Sequence, residues 1–343
     1  MIKNTAKRII SLVAAALIVS LALVSCAKKY DFPESTDKEK ETVLRLGDED
    51  IPFELYRAIF MKYKYEEDGG SDAYWNNADA DAAFERLDKQ TREELLRYYA
   101  ALRLALDYGI DYHSGQIQKY VLDTINDEIE NDFGGLDEYL AALDAAYMNH
   151  SVYSFLRAEM RCEELLYSAL VEDGTVKTDD ETIMSAILGG EFCHAKQILI
   201  KNDPGDDIEK NRQTAEDILT QLQLGADFDT LVAKYGEDME MVTRPMGYYF
   251  THGEMIEEFE EAAFALKIGE RSGIIETDIG YHIILRCEID RAYVSGYYDE
   301  LASSYLTSQY TMKVWEKESG LAFVETEFSR SLSMSDFSYS ESN

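Results

Sequence analysis

The stretch Gly253-Glu254-Met255-Ile256-Glu257-Glu258-Phe259-Glu260 is followed by Ala263-Phe264-Ala265-Leu266, by Gly269-Glu270, and by Thr277 to Leu285 (TDIGYHIIL). It reads as a helix around Met255 to Leu266, a turn at Gly269 and a strand from Tyr281 to Arg286. Upstream, Ala195 to Ile200 reads as a strand, and Glu209 to Leu224 and Asp227 to Tyr235 as helices. Gly247-Tyr248-Tyr249-Phe250 then precedes the helix of the quoted stretch. The order β-α-α-β-α-β predicts an α+β fold with an antiparallel sheet rather than a doubly wound one.

The first half is patterned differently. A short alternating stretch, Val43 to Leu46, leads through a turn-like GDED to Pro52, which suits a first helical position. The helix that follows sets Phe53, Tyr56, Phe60 and Tyr63 on one face and stops at Gly69-Gly70. A longer helix is expected over about 79–108, with Leu95, Tyr99, Leu102 and Leu106 on its apolar face. Others are expected near 114–131, 136–147 and 151–170, and one begins at Thr178, where Glu181 completes a capping box. Near the end, Tyr298, Leu301, Tyr305, Met312 and Trp315 mark a long helix, Leu321 to Glu325 is strand-like, and residues 327–343 are Ser-rich and expected to be disordered. The aromatic stripes fit ordinary core better than the alternative, an open apolar cleft for unfolded chain.

Composition excludes whole classes of function. With 33 Lys plus Arg against 67 Asp plus Glu, the formal charge is −34, and no basic stripe is present to meet a phosphate backbone. Nucleic acid is therefore not an expected partner. A hydrophobic fraction of 46% rules out wholesale disorder. No CxxC, HExxH or GxxxxGK[ST] pattern occurs, so no metal or cofactor is expected. Two α/β lobes are absent, which disfavours a solute-binding protein.

Residues 1–25 contain no acid, carry Lys3, Lys7 and Arg8, and run apolar from Ile9 to Val24, an export-signal pattern. The run ends in Leu23-Val24-Ser25-Cys26, which resembles the lipobox of bacterial lipoproteins. The resemblance implies cleavage before Cys26, lipidation of that Cys, and extracytoplasmic anchoring to the bacterial cell membrane. Residues 26–42 are expected to be a flexible tether. Beyond Cys26 only Cys162, Cys193 and Cys287 remain, too few to staple a domain of this size.

The motifs from Gly253 to Leu285, with Gly225-Ala226-Asp227-Phe228, Leu231-Val232 and Tyr235 before them, resemble the parvulin family of peptidyl-prolyl isomerases over about residues 191–290. A helical first region, such a module and a closing helix also make a layout similar to the PrsA and SurA-type extracytoplasmic foldases. That likeness implies a chaperone domain built from residues 43–187 and 292–326, with residues 188–291 inserted as the parvulin-like domain. It also implies unfolded or newly exported polypeptides as partners.

By the same resemblance Met255 and Phe259 form a proline pocket, with Met246 and Phe250 also binding substrate. A spacing of four puts Met255 and Phe259 on one helical face. His282 matches the family's histidine on the last strand, and Thr277 its neighbouring hydroxyl. Asp238 falls at the family's Cys or Asp. This sequence departs at Gln197, in Lys196-Gln197-Ile198-Leu199, where the family carries a second His. His194 does not substitute, because three residues along a strand reverse the face. Thr243-Arg244-Pro245-Met246-Gly247 stands for the usual Gly-Gly-Asp-Leu-Gly, with Pro245 in place of an acid. Gln both donates and accepts hydrogen bonds, so the site can still be wired. Two functions stay open: an isomerase of X-Pro bonds in exported chains, and a holdase that binds them without catalysis.

Overall fold

The computed structural model describes residues 30–76, 80–203 and 205–339. The expected export signal, residues 1–25, and Cys26 lie outside the described residues. The described residues divide into two compact units, one of 30–170 together with 313–339, the other of 171–312.

The first unit opens with a hairpin, β1 (Thr42–Leu46) and β2 (Glu49–Pro52), turned at Gly47 with φ 64°. Val43, Leu44 and Leu46 are buried beneath it. The later pair Val324–Glu325 adds a third strand by joining β1 antiparallel, Leu44 opposite Glu325. Helix α1 (Phe53–Asp68) follows Pro52, whose missing N–H costs nothing at a helix start, and ends at Gly69 in the left-handed conformation. Helix α2 (Ala80–Asp107) buries Leu95, Tyr99, Leu102 and Ala105. Leu106 is exposed instead of sharing that face, because Ala105 takes the inward position. Next come α3 (Gly115–Glu128), a π-turn at Ile129–Phe133, α4 (Leu136–Ala145) and α5 (His150–Glu172).

Two expectations for this unit need correction. Residues 30–41 do not behave as a free tether: Phe32 stacks on His150 at 3.4 Å, Asn149 Nδ2 donates to Ser35 Oγ, and Phe53 N–H donates to the carbonyl of Glu41. The Ser-rich stretch after 326 is also folded, as a helix at Glu327–Ser331 and a 3₁₀ turn at Met334–Phe337. Composition pointed to disorder in both stretches, but Phe32 in the first, and Phe328, Leu332 and Phe337 in the second, supply apolar contacts that oppose the ordering cost.

The second unit begins with α6 (Asp180–Gly189), capped by Asp179, whose Oδ1 accepts from Thr182 N–H at 2.9 Å. Asp179, rather than Thr178, is the cap. Strand β3 (Phe192–Lys201), helices α7 (Ile208–Gln223), α8 (Phe228–Tyr235) and α9 (Met239–Thr243), strand β4 (Tyr248–Thr251), helix α10 (Glu257–Ala265), strands β5 (Ile275–Thr277) and β6 (Gly280–Cys287), and helices α11 (Arg291–Gly296) and α12 (Tyr298–Glu318) follow. The sheet order is β4-β3-β6-β5, antiparallel throughout. Helix α10 starts two residues later than expected, so Met255 precedes it. The three-residue β5 escaped notice because Ile-Glu-Thr is too short to show alternation.

Both faces of β3 are covered, which is why it is buried along nearly its whole length. Ile198 and Ile200 pack with Ile218, Leu222, Tyr281 and Ile283 on one face. Cys193 and Ala195 pack with Phe250, Phe259, Ala263 and Ile284 on the other. At Gly280, φ is 143° and a Cβ would lie 2.1 Å from the Ile200 carbonyl oxygen, so only glycine lets β6 start there.

Cys193 and Cys287 sit on neighbouring strands, but Cys287 is opposite His194, which puts the two thiols on opposite faces of the sheet. Burial pushes the Cys193 thiol up to about 12. The two cysteines are therefore expected to remain free thiols after oxidation with diamide, with Cys193 resisting alkylation until the protein unfolds; a Cys193–Cys287 peptide in the unreduced digest would contradict the register.

Candidate active site

The β3–β6 pairing sets Gln197 opposite Ile284 and Leu199 opposite His282, so Gln197 and His282 share a face. Thr277 ends β5 on the neighbouring side, and Asp238 caps α9 by accepting from Glu240 N–H at 2.9 Å. These residues join in one hydrogen-bonded row. Thr277 Oγ1 lies 2.8 Å from His282 Nε2, His282 Nδ1 lies 2.6 Å from Gln197 Oε1, and Gln197 Nε2 donates to Asp238 Oδ2 at 2.7 Å. Tyr248, from edge strand β4, donates its hydroxyl to the same Oδ2 at 2.6 Å.

Proton positions follow from the ends. A carboxylate only accepts, so the Gln197 amide must turn its NH₂ to Asp238 and its oxygen to His282. His282 Nδ1 then carries the proton, and Nε2 offers its lone pair to the Thr277 hydroxyl. Burial holds the His282 imidazole down to about 4, which keeps it neutral and consistent with that tautomer. Burial and the Asp238 carboxylate together push the Tyr248 phenol well above its usual range, so it remains a donor.

The apolar part lies against this row. Phe259 is 2% exposed, meets the His282 ring edge-on at 5.6 Å and sits 5.9 Å from Phe250. Met255 packs against the same cluster while remaining partly exposed. Its position before α10 is held by Glu260, whose carboxylate accepts the N–H groups of Gly253 at 2.9 Å, Glu254 at 3.2 Å and Met255 at 3.3 Å. Met246 is not brought here: its side chain is 49% exposed, and its carbonyl accepts from His194 Nε2 at 2.5 Å. His194 faces away from Gln197 and stacks on Tyr249 at 4.0 Å.

The row thus joins His282, Gln197, Asp238 and Thr277, with Phe259 and Met255 beside it and Phe250 beneath. Tyr248 and Glu260 were not singled out from sequence. Tyr248 could have been found from its place after Gly247 on an edge strand, alternating with Tyr249. Glu260 stood inside the quoted motif, but only folding brings three backbone N–H groups to its carboxylate. Among the described residues no group of three or more His, Cys, Asp or Glu side chains is placed to hold a metal.

Residues 197–288 match the rotamase family described as the PPIC-type PPIase domain. Over 285 residues, 81% of this chain and 82% of the relative, the chain is 26% identical to the foldase protein PrsA of Caldanaerobacter subterraneus subsp. tengcongensis. It is 42% identical to the foldase protein PrsA of Geobacillus kaustophilus over 77 residues, a stretch that spans 22% of this chain and 27% of that relative. The crystal structure of the peptidylprolyl isomerase PrsA from Bacillus anthracis, 18% identical, aligns 66% of this chain with 95% of its own at a TM-score of 0.36. The chain therefore carries, at residues 197–288, a domain that belongs to the PPIC-type family of peptidyl-prolyl isomerases, within a sequence similar along most of its length to a PrsA foldase.

Proposed function

We propose that this protein is an extracytoplasmic foldase, anchored through lipid on Cys26, that binds exported polypeptides and isomerises their X-Pro bonds at the site around Met255 and Phe259. The observation that carries the reading is the apolar pair Met255 and Phe259 set against a fully wired polar row. Such a site suits the chemistry. The X-Pro amide resists twisting with a barrier of roughly 18–20 kcal/mol, and a catalyst need only favour the twisted amide over the planar one. No nucleophile or metal is required.

Each residue then has a distinct part. Met255 and Phe259 receive the pyrrolidine ring. Asp238, partly exposed, presents the polar edge of the row to the peptide. His282 and Thr277 are 2% and 8% exposed, too deep to touch substrate, so they act as positioning residues that fix Gln197 and, through it, Asp238. Gln197 serves where the family carries His because it bridges an N–H donor and a carboxylate acceptor at once. The burial of His282 also favours the second reading, a holdase, in which the row serves only to rigidify a peptide-binding floor.

The deciding measurement is isomerisation of a Xaa-Pro peptide by the full chain. A folded Met255→Ala protein is expected to turn over at least about ten-fold more slowly, equivalent to about 1.4 kcal/mol of lost transition-state stabilisation. Equal turnover by that variant would mean that the pocket is misassigned. Absence of any acceleration by the unaltered protein, with aggregation of a proline-free client still delayed, would establish the holdase.

Burial of neutral His282 also predicts a pH dependence. Between about pH 6.5 and 4 the unfolded chain binds a proton that the folded chain refuses, so stability falls as pH drops through that window and levels off below it. The contribution is about 3 kcal/mol. His150, also held down to about 4 by burial, acts in the same direction. In an NMR titration the His282 ring resonances are expected to stay unchanged from pH 8 to 5; a midpoint near 6.5 would show an exposed, protonatable imidazole.

Glu260→Ala removes the acceptor of three backbone N–H groups, those of Gly253, Glu254 and Met255 itself. Unfolding in urea should show a loss of about 1–3 kcal/mol, with Glu260→Gln recovering part of it. An unchanged midpoint for the Ala variant would show that the carboxylate does not hold this loop.

A further inference from the structure

The first unit encloses a small cavity of about 190 Å³ where β2, the start of α1, α2, the turn before α3 and the start of α5 meet. Glu54 and Tyr99 line it from buried positions, whereas Asp50, His113 and Ser151 line it from the surface. Three of its lining residues are aromatic. The Phe155 ring lies 5.6 Å from that of Tyr99, tilted by 33°, and 6.0 Å from that of Tyr112 at 89°, so the rings form a corner. The negative faces of such rings attract a cation.

Two buried groups here have needs that the protein does not meet. Tyr99 is 3% exposed, yet among the described residues its hydroxyl has no hydrogen-bond partner. Burial, and after it the nearby Glu49 carboxylate, push this phenol above its usual range, so it stays a neutral hydroxyl with lone pairs to offer. Glu54 is 8% exposed and accepts from Asn149 Nδ2 at 2.7 Å and Ser151 Oγ at 2.6 Å, both neutral donors. Among the described residues no cation pairs with it, although a buried carboxylate is costly without one. Glu49 accepts from the Tyr112 hydroxyl at 2.9 Å, and the cationic group beside it is the exposed His113, 3.6 Å away. Arg45 answers Asp50 at 2.8 Å, and Arg103 donates to the Leu46 carbonyl at 3.1 Å without lining the cavity. The cavity therefore carries negative charge in excess.

We propose that this cavity is a binding site for a small primary alkylammonium ion, its N–H groups on Glu54, Glu49 and the Tyr99 hydroxyl and its carbon chain against Phe155 and Tyr112. The acceptors decide the class of cation. A carboxylate offers about four lone-pair sites, so Glu54 has two left after Asn149 and Ser151, and the Tyr99 hydroxyl is unused. A quaternary ammonium carries no N–H and would leave them unmet. Ca²⁺ takes about six to eight oxygen ligands, and rings supply too much of this wall for that. Pockets for drug-sized molecules run to about 300–1,000 Å³, so 190 Å³ admits an ion of only a few heavy atoms. An alkylammonium is charged at neutral pH as lysine is. The site lies wholly in the first unit, and the proposal is independent of isomerase activity.

The test is calorimetric titration of the full chain, at constant ionic strength, with the chlorides of butylammonium and tetramethylammonium and with Nα-acetyl-lysine amide. Butylammonium is expected to bind saturably at one site, at least ten-fold more tightly than tetramethylammonium. Glu54→Gln and Tyr99→Phe are each expected to weaken it at least ten-fold, the scale of a hydrogen bond to a charged group. Tyr99→Phe removes no hydrogen bond of the free protein, so its thermal midpoint should match that of the unaltered chain; it keeps the test decisive if Glu54→Gln does not fold. Absence of saturable butylammonium binding would overturn the proposal, as would equal affinity for tetramethylammonium or unchanged affinity in Tyr99→Phe. Binding of the lysine amide without any of butylammonium would assign the cavity to a side chain rather than a free amine, and would overturn it too.

Discussion

The antiparallel ladder between β3 and β6, from His194 opposite Cys287 to Lys201 opposite Gly280, is the constraint on which the second unit depends. It puts Gln197 and His282 on one face and Ile198, Ile200, Tyr281 and Ile283 on the other. A slip of one residue would exchange the two sets, burying the polar pair in an apolar core and bringing isoleucines to the site. Gly280 secures the end of the ladder, because a side chain there would collide with the Ile200 carbonyl. The buried positions on both faces make any other register costly, at roughly 1–3 kcal/mol for each unpaired polar group.

Given the ladder, the polar row has one direction. Asp238 can only accept, and from that end each partner is forced in turn: the amide of Gln197, the tautomer of His282, the hydroxyl of Thr277. Histidine in place of Gln197 would bring two titratable rings into contact in a buried site, whereas glutamine carries the same donor and acceptor without a charge to gain. The departure from the family pattern thus leaves the hydrogen bonds complete. Tyr248 adds a second donor on Asp238, and Glu260 holds the loop with Met255, so both rims of the proposed proline site are braced by groups that do not themselves bind proline.

The first unit relies on aromatic contacts reaching in from the segments outside its helices. Phe32 lies flat on His150, and Phe337 lies among rings from α1 and α2. Each stretch has the polar composition of a linker, and in each an aromatic ring leads the contacts that order it. That is a general weakness of composition as a guide, since it averages over residues while docking depends on one side chain meeting a complementary surface.

From the sequence alone, the periodicity of the helices and the α+β order of residues 192–287 could be determined, because a period of 3.6 or 2 and a turn glycine are properties of neighbouring residues. Met255, Phe259, Asp238, Gln197, Thr277 and His282 were singled out instead by resemblance to a family pattern. Only the tertiary structure decided that Met255 precedes its helix, that Met246 faces away, that Tyr248 and Glu260 complete the site, and that Phe32 and Phe337 order stretches of linker composition. Each of these depends on residues between five and 284 positions apart, brought together by the sheet register and by aromatic packing, and no local pattern encodes which distant groups will meet.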